Sequence, residues 1–503
     1  MTPPSASLSN RTLSGLFWVT SGAGAKALLS LTVLVVLGRL LSPADFGLVG
    51  AALVVINLSK LFSELGLGPA LVQRRDLEPR HVHTAFTSYV LLGFLLGGAI
   101  WAAAPLIARF MQMNHLPPVL RALAWLFPVV GLGRVSEFLL KRDLHFRWLT
   151  NREVAAYAVG YGGVGIGLAW LGAGVWALVA AQLAQSICNV ALLLIKRPPS
   201  IRFAFELRAA RELMSFGGGH TLAGFGNFAA QQGDNLVVGR WLGPTALGLY
   251  SRSYQLMATA ASIFGGILDG VLFPVMSKIQ DDARRLASAY LQGVAFVALV
   301  MVPASAVLIV LAPELIRVLL GPQWSQATVP FQIFAVAIPL RASALMSDSI
   351  CRATGFVYRR AWRQWVYALL VVLGAWIGQF WGIDRVAIGG LVALAVNFLL
   401  MAQLSLQAAG IPWNRFWEGQ LPALLLAAVS AAVAEGAAAV LRSRDLPPAA
   451  VLVVAAGAAV TCAALAQWAA PRLFLGPVGL RIRERLQCYA REQWGWSGGR
   501  AHA

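Results

Sequence analysis

Lys26 and Lys60 each stand inside a run of apolar residues, where a charged side chain costs roughly 2.5–3.5 kcal/mol at mid-bilayer on insertion scales. Each must therefore face a cavity, a partner or a surface. Lys26 precedes Arg39 by 13 residues, and Lys60 follows Gly47 by 13. On helices rising about 1.5 Å per residue, both lie roughly 20 Å below the turn that joins them, level on adjacent antiparallel helices. Two level cations suit an anion. The alternative is an internal Lys60–Glu64 pair at i,i+4, with Lys26 answered by backbone carbonyls.

A second polar set lies in "NFAAQQGDNLVVGR", where Asn227, Gln231, Gln232, Asp234 and Asn235 interrupt an apolar segment. So much hydrogen-bonding capacity does not suit a lipid-facing surface. Lining a cavity, with sugar hydroxyls or a coupling ion as partners, is one reading; interhelical polar bonding is the other. Arg134 and Arg341 sit deep in their runs and either line the cavity or snorkel to headgroups. Glu137, Asp269 and Asp348 read as interfacial, and Glu435 has no assignment.

Catalytic chemistry is absent from these patterns. "SGAGAKA" around Lys26 lacks the spacing of a phosphate-binding G-x-x-x-x-G-K-[ST] loop. His81 and His83 lie two apart in a basic loop and read as a solvated face. Cys188, Cys351, Cys462 and Cys488 have neither disulfide-framework nor zinc spacing. No cofactor and no metal site are expected, and no loop is large and polar enough to carry a set of acid/base groups.

The elements that position these residues follow from composition. The 503 residues are 58% hydrophobic and 12% charged, with mean hydropathy +0.70, which excludes an ordinary soluble fold. Fourteen apolar runs occur, near 13–37, 47–66, 84–108, 119–139, 153–171, 174–195, 214–238, 247–274, 287–312, 326–347, 363–381, 386–407, 420–441 and 448–470. Most reach the 20 or so residues of a transmembrane helix, twice the length of a membrane strand. Residues 1–10 lack the pattern of a cleaved signal, so the first run is expected to stay.

With an even number of spans both termini share a side. That side collects 27 of the 40 Lys and Arg residues, the opposite loops nine. The positive-inside rule places both ends in the cytoplasm. The net charge of +19 thus reads as topology and contact with anionic inner-leaflet lipids, not nucleic-acid binding.

The chain also repeats itself. "GRLLSPADFGLV" (38–49) returns as "GRWLGPTALGLY" (239–250), so that Gly38, Arg39, Pro43 and Gly47 answer to Gly239, Arg240, Pro244 and Gly248. Each copy closes a hairpin between the first and second helix of a six-helix set. Pro128, Glu137 and Lys141 are echoed by Pro339, Asp348 and Arg352. Six spans per copy preserve direction and give parallel repeats. The expected fold is an all-α polytopic membrane protein: an N-lobe at 1–203 (helices 1–6), a C-lobe at 204–412 (helices 7–12), two further helices at 413–470, and a basic tail at 471–503. The tail reads either as an amphipathic helix on the inner leaflet or as frayed.

The block "GRLLSPADFGLVGAALVVINLSKLFSELGLGPALVQRRDL" resembles the opening hairpin of bacterial polysaccharide exporters. These are the Wzx-like flippases of the multidrug/oligosaccharidyl-lipid/polysaccharide superfamily, in particular the colanic acid exporter branch. "QQGDNLVVGRWLGPTALGLYSRSYQLMATAASIFGGILDGVLFPVMSKIQDD" is similar to the matching second-lobe hairpin. The resemblance spans about residues 10–410. It implies a V-shaped pair of lobes around a cationic cavity and translocation of an undecaprenyl-diphosphate-linked oligosaccharide. In related lipid II flippases, basic residues of the first two helices bind the diphosphate, and Lys26 and Lys60 occupy comparable places. A polysaccharide polymerase and a chain-length regulator are candidate partners. Two rivals are a small-molecule multidrug exporter and a non-transporting scaffold for the polymerase.

Overall fold

The computed structural model describes residues 24, 26–63, 67–74, 76–198, 204–208, 218–278, 282–353, 356–475 and 480. Every regular element among them is helical. Ten helices are long and apolar enough to cross a membrane, corresponding to all the apolar runs except the first, fifth, seventh and eighth. The first run begins among residues outside the described set. The fifth is divided into α7 (Phe146–Tyr157), a π-helical stretch Ala158–Gly165 and α8 (Ile166–Trp170). The seventh and eighth share one helical stretch, α10 (Gly218–Lys278), broken at Gly243 with φ 84° and ψ −179°. Large apolar side chains remain exposed, among them Trp170, Val453 and Trp468, as suits a lipid-facing surface.

By contacts the chain divides into two units: Met1–Tyr254 with Leu319–Pro330 and Gln364–Gly390, and Gln255–Val318 with Phe331–Arg363 and Leu391–Ala503. In the first, α1 (26–40) turns into α2 (Pro43–Ser63) through a reciprocal cap. The Asp45 amide donates to Ser42 Oγ at 3.3 Å, and the Ser42 amide donates to Asp45 Oδ2 at 3.0 Å. This is a capping box with Pro43 at the first helical position, so "SPAD" starts the helix by its own chemistry. The second copy lacks both groups. Gly243 stands where Ser42 would, and its positive φ, open to glycine at little cost, makes the turn instead.

The remaining described helices of this unit are α3 (Leu67–Gln73), α4 (Pro79–Met111), α5 (Leu116–Ala124), α6 (Leu126–Arg142) and α9 (Val175–Lys196). α4 and α6 touch through backbone. A Cβ on Gly93 would stand 2.7 Å from the Phe127 carbonyl oxygen, and one on Gly131 would stand 2.7 Å from that of Tyr89. Arg142 Nη1 donates to the carbonyls of Leu71, at 2.9 Å, and Arg74, satisfying the end of α3.

The second unit contains α11 (Ala283–Val310), α16 (Trp413–Glu418), α17 (Leu421–Arg442), α18 (Pro448–Ala469) and α19 (Pro471–Phe474), with most of α12 (Ala312–Leu319) and of α13 (Thr328–Ala353). α14 (Val357–Gly378) and α15 (Ile383–Ala409) each contribute residues to both. α17 packs between α11 and α18, around Leu311, Ala438, Val451 and Ala455. Asp282 caps α11, accepting from the amides of Arg284 and Arg285 at 3.1 and 3.0 Å.

Candidate functional site

Lys60 occupies the last turn of α2, one turn beyond the buried Ile56 and on the same packed face. Its ammonium donates to Asn57 Oδ1 at 3.1 Å. Ile56, Lys60, Tyr89, Gly93, Gly131 and Arg134 line one cleft of about 30 Å³. Gly93 and Gly131, which bring α4 against α6, therefore form the wall from which Arg134 projects. Arg134 Nη1 lies 3.3 Å from Glu137 Oε2, and Lys141 Nζ lies 2.7 Å from Glu137 Oε1. One carboxylate is thus shared by two cations, and the neighbourhood keeps a positive excess.

Lys26 pairs with Glu153 of α7 at 3.0 Å, a carboxylate in place of the backbone carbonyls expected of it. The other expected pair joined Lys60 to Glu64. Glu64 lies outside the described residues. Beside Glu153 is Arg152, whose side chain is 2% exposed and whose Nη2 lies 3.8 Å from Glu153 Oε1. Arg152 also feels the Glu137 carboxylate and the Arg134 guanidinium, which links the two charge groups. In the sequence Arg152 is one of the inner-loop cations, and Glu153 does not stand out. Their signal, "NREV" at the start of an apolar run, is the same as that of any interfacial charge pair. Arg341 is half-buried on α13 and belongs to the second unit. There Asp348, on the same helix, pairs with Arg360.

The polar stretch before the second hairpin divides in two. Asn227 and Gln231 are exposed and bonded to each other, Gln231 Nε2 donating to Asn227 Oδ1 at 2.8 Å. Asp234 and Asn235 are buried. Tyr250 donates its hydroxyl to Asp234 Oδ2 at 2.8 Å across the Gly243 break, and Asn235 Nδ2 donates to Gln232 Oε1 at 3.2 Å. Interhelical bonding therefore accounts for Asp234. Val33 and Val49, the counterparts in the first copy, are both buried and apolar, so the Asp–Tyr bond is peculiar to the second hairpin.

The hairpin residues themselves are structural. Trp324 Nε1 and Gln323 Nε2 each donate to the Gly38 carbonyl at 2.8 Å, and Gln323 also reaches that of Arg39 at 3.3 Å. Arg240 lies over the Phe110 ring, 5.7 Å from its centroid. A Cβ on Gly239 would stand 3.0 Å from Met111 Cε. Gly47 and Gly248 each abut the proline carbonyl of the other copy, Pro244 and Pro43. Arg252, another residue the sequence did not single out, stacks 4.5 Å over Phe46.

Comparison with known proteins gives this arrangement a setting. The profile of the family described as "Polysaccharide biosynthesis protein" matches residues 36–329. The teichuronic acid biosynthesis protein TuaB of Bacillus subtilis (strain 168) is 23% identical over 69% of this chain and 72% of its own. The lipopolysaccharide biosynthesis protein WzxC of Escherichia coli (strain K12) is 25% identical over 78% of this chain and 80% of its own. Among solved structures, the lipid II flippase MurJ in its inward closed conformation superposes with a TM-score of 0.71 at 14% identity, covering 89% of this chain and 98% of that one. An inward-facing multidrug resistance MATE transporter of the MOP superfamily gives 0.62 at 16% identity, covering 76% and 94%. The fold is thus the two-lobe helical fold of those transporters. With an internally repeated, helical, multi-pass architecture and a profile match across more than half its length, the chain belongs to the polysaccharide biosynthesis protein family.

Proposed function

We propose that this chain is a flippase, not an enzyme, moving undecaprenyl-diphosphate-linked oligosaccharide repeat units across the bacterial inner membrane. The units would feed exopolysaccharide, capsule or lipopolysaccharide assembly, and movement would be by alternating access. The observation that carries the reading, in a chain of this family, is the cleft wall shared by Lys60 and Arg134. Charge-assisted bonds from two cations suit a phosphate group. A volume of about 30 Å³ has room for no more than a few waters, so the cleft serves as a gripping wall, with the sugars outside it. The exposed amides of Asn227 and Gln231 are the groups we assign to sugar hydroxyls, and Lys26 and Arg341 are assigned to the anionic path.

The Lys/Arg asymmetry supports both termini in the cytoplasm, and the parallel repeat supports lobes at 1–203 and 204–412, with 413–470 and the basic 471–503 as additions. An inside-negative potential favours outward movement of an anion by about 2.3 kcal/mol per charge per 100 mV. Anionic inner-leaflet lipids, a polymerase and a chain-length regulator are the expected partners.

The test is a deletion strain whose lipids are extracted and analysed by mass spectrometry, with surface polysaccharide assayed in parallel. Accumulated lipid-linked repeat units with lost polysaccharide are expected, and their mass identifies the glycan. Unchanged intermediates and normal polysaccharide, in a strain without a second flippase, would overturn the reading and direct attention to a drug-susceptibility panel.

A further inference from the structure

Lys26 is not simply waiting for an anion. Its ammonium is held by Glu153 at 3.0 Å, with the two side chains 42% and 47% exposed, so an incoming anion can reach the pair and compete for the lysine. Behind Glu153 stands Arg152. Its Nη2 is 3.8 Å from Glu153 Oε1, beyond hydrogen-bond reach. Its Nε and Nη1 are buried without a hydrogen-bond partner among the described residues. A buried guanidinium is costly unless paired and hydrogen-bonded. The other carboxylate that Arg152 feels, Glu137, is already shared by Arg134 and Lys141. Among the described residues the carboxylate left for Arg152 is Glu153, and Lys26 draws it the other way. Adjacent positions on a helix do not face each other, yet these two long side chains already reach to within 3.8 Å, and the pull of Lys26 holds Glu153 short of closing.

We propose that Lys26, Glu153 and Arg152 form a carboxylate-exchange site for the cargo: a phosphate oxygen takes Lys26, and Glu153 lets go and closes on Arg152. The inference rests on the reading above that the cargo carries a phosphate headgroup. In the exchange no charge is stranded. Lys26 trades a carboxylate for a phosphate, Glu153 trades an ammonium for a guanidinium, and Arg152 gains the bonds it lacks. The fixed fork of donors on a guanidinium suits a carboxylate. The reverse exchange returns Glu153 to Lys26 and releases the cargo. Arg152 acts through Glu153 without touching the cargo, so it is a positioning residue, and Glu153 is the cargo's internal competitor.

The test measures binding of undecaprenyl diphosphate to the purified full-length chain in nanodiscs, for wild type, Lys26→Gln, Arg152→Gln, Glu153→Gln and the double variant Arg152→Gln/Glu153→Gln. Lys26→Gln and Arg152→Gln should each weaken binding about tenfold, and Glu153→Gln should tighten it about threefold or more. The double variant should bind as tightly as Glu153→Gln, because without the competitor nothing remains for Arg152 to hold. A purely structural role for Arg152 predicts no such rescue. A double variant as weak as Arg152→Gln, or a Glu153→Gln variant that binds less tightly, overturns the exchange while leaving the cargo reading intact if Lys26→Gln is weak. Absence of wild-type binding overturns both. If Arg152→Gln does not fold, Arg152→Lys replaces it; a point charge lacks the fork, so about threefold weakening, erased by Glu153→Gln, is expected.

Discussion

Gly47 and Pro244, from different copies of the repeat, meet backbone to backbone. A Cβ on Gly47 would fall on the Pro244 carbonyl oxygen and stand 2.9 Å from the Gly248 nitrogen. Gly248 meets Pro43 in the same way, with the Gly47 nitrogen 3.1 Å from its own Cβ position. The contact is thus reciprocal, as in an isologous interface between identical subunits. The repeated residues therefore share one physical role, since each copy supplies the glycine that the other copy's proline turn requires.

Gly47→Ala and Gly248→Ala should therefore be equally damaging. Backbone carbonyls cannot swing aside as a side chain can, so each added methyl should destabilise by about 1–3 kcal/mol or more. Thermal unfolding in detergent measures this. Unequal losses would show that the two halves of the contact are not equivalent.

Much of this was legible in the sequence, and the reasons are local. Turn residues announce themselves by type, so the 38–49 and 239–250 hairpins could be paired by eye, and "SPAD" carries its cap within four residues. Cations stand out in apolar runs, so Lys26, Lys60 and Arg134 could be named. Their partners could not be. Glu153 lies 127 residues from Lys26, and only folding sets them together. Asp234 announced polarity but not its use, because Tyr250 looks like any interfacial tyrosine. The π-helical turn at Ala158–Gly165 was equally hidden: "AVGYGGVG" reads as ordinary apolar span, while the glycines let the backbone come so close to α9 that a Cβ on Gly160 would stand 2.6 Å from the Ala181 carbonyl oxygen.

Tyr250→Phe and Asp234→Asn test whether the second hairpin is closed by the bond between them. The hydroxyl donates to a buried carboxylate at 2.8 Å, and a bond to a charged group contributes about 1.5–3 kcal/mol. Each single change should lower the unfolding midpoint. The double change should cost less than the sum, since Tyr250→Phe removes, and Asp234→Asn strips of its charge, the same bond. Strict additivity would assign the two residues to separate roles.

Lys60 and Arg134 line the same cleft, so they should fail alike in transport. Lys60→Gln and Arg134→Gln should each lower export of lipid-linked repeat units about tenfold or more at unchanged membrane levels. Lys60→Arg, which keeps the charge, should retain most of it. Glu137 keeps Lys141 as a partner at 2.7 Å when Arg134 is neutralised, so the Arg134 loss should not be a folding loss. Undiminished export by the Lys60→Gln/Arg134→Gln double variant would remove the cleft from the anionic path.

Arg442 binds α17 to the end of α11 and the start of α12. Its Nε and Nη2 donate to the two oxygens of Glu314 at 2.8 and 3.0 Å, and its Nη1 reaches Glu435 at 3.3 Å. The two carboxylates are not equal, for the Glu314 side chain is 9% exposed and that of Glu435 is 56% exposed. Arg442→Met strands the buried carboxylate and should cost about 3–5 kcal/mol. Glu435→Gln touches a screened pair and should cost less than about 1 kcal/mol. Adding Glu314→Gln to Arg442→Met should recover much of the loss, because the stranded charge is then gone. Thermal unfolding of the three variants decides the matter. A Glu435→Gln loss as large as that of Arg442→Met would move the anchoring role to Glu435 and away from the buried Arg442–Glu314 pair.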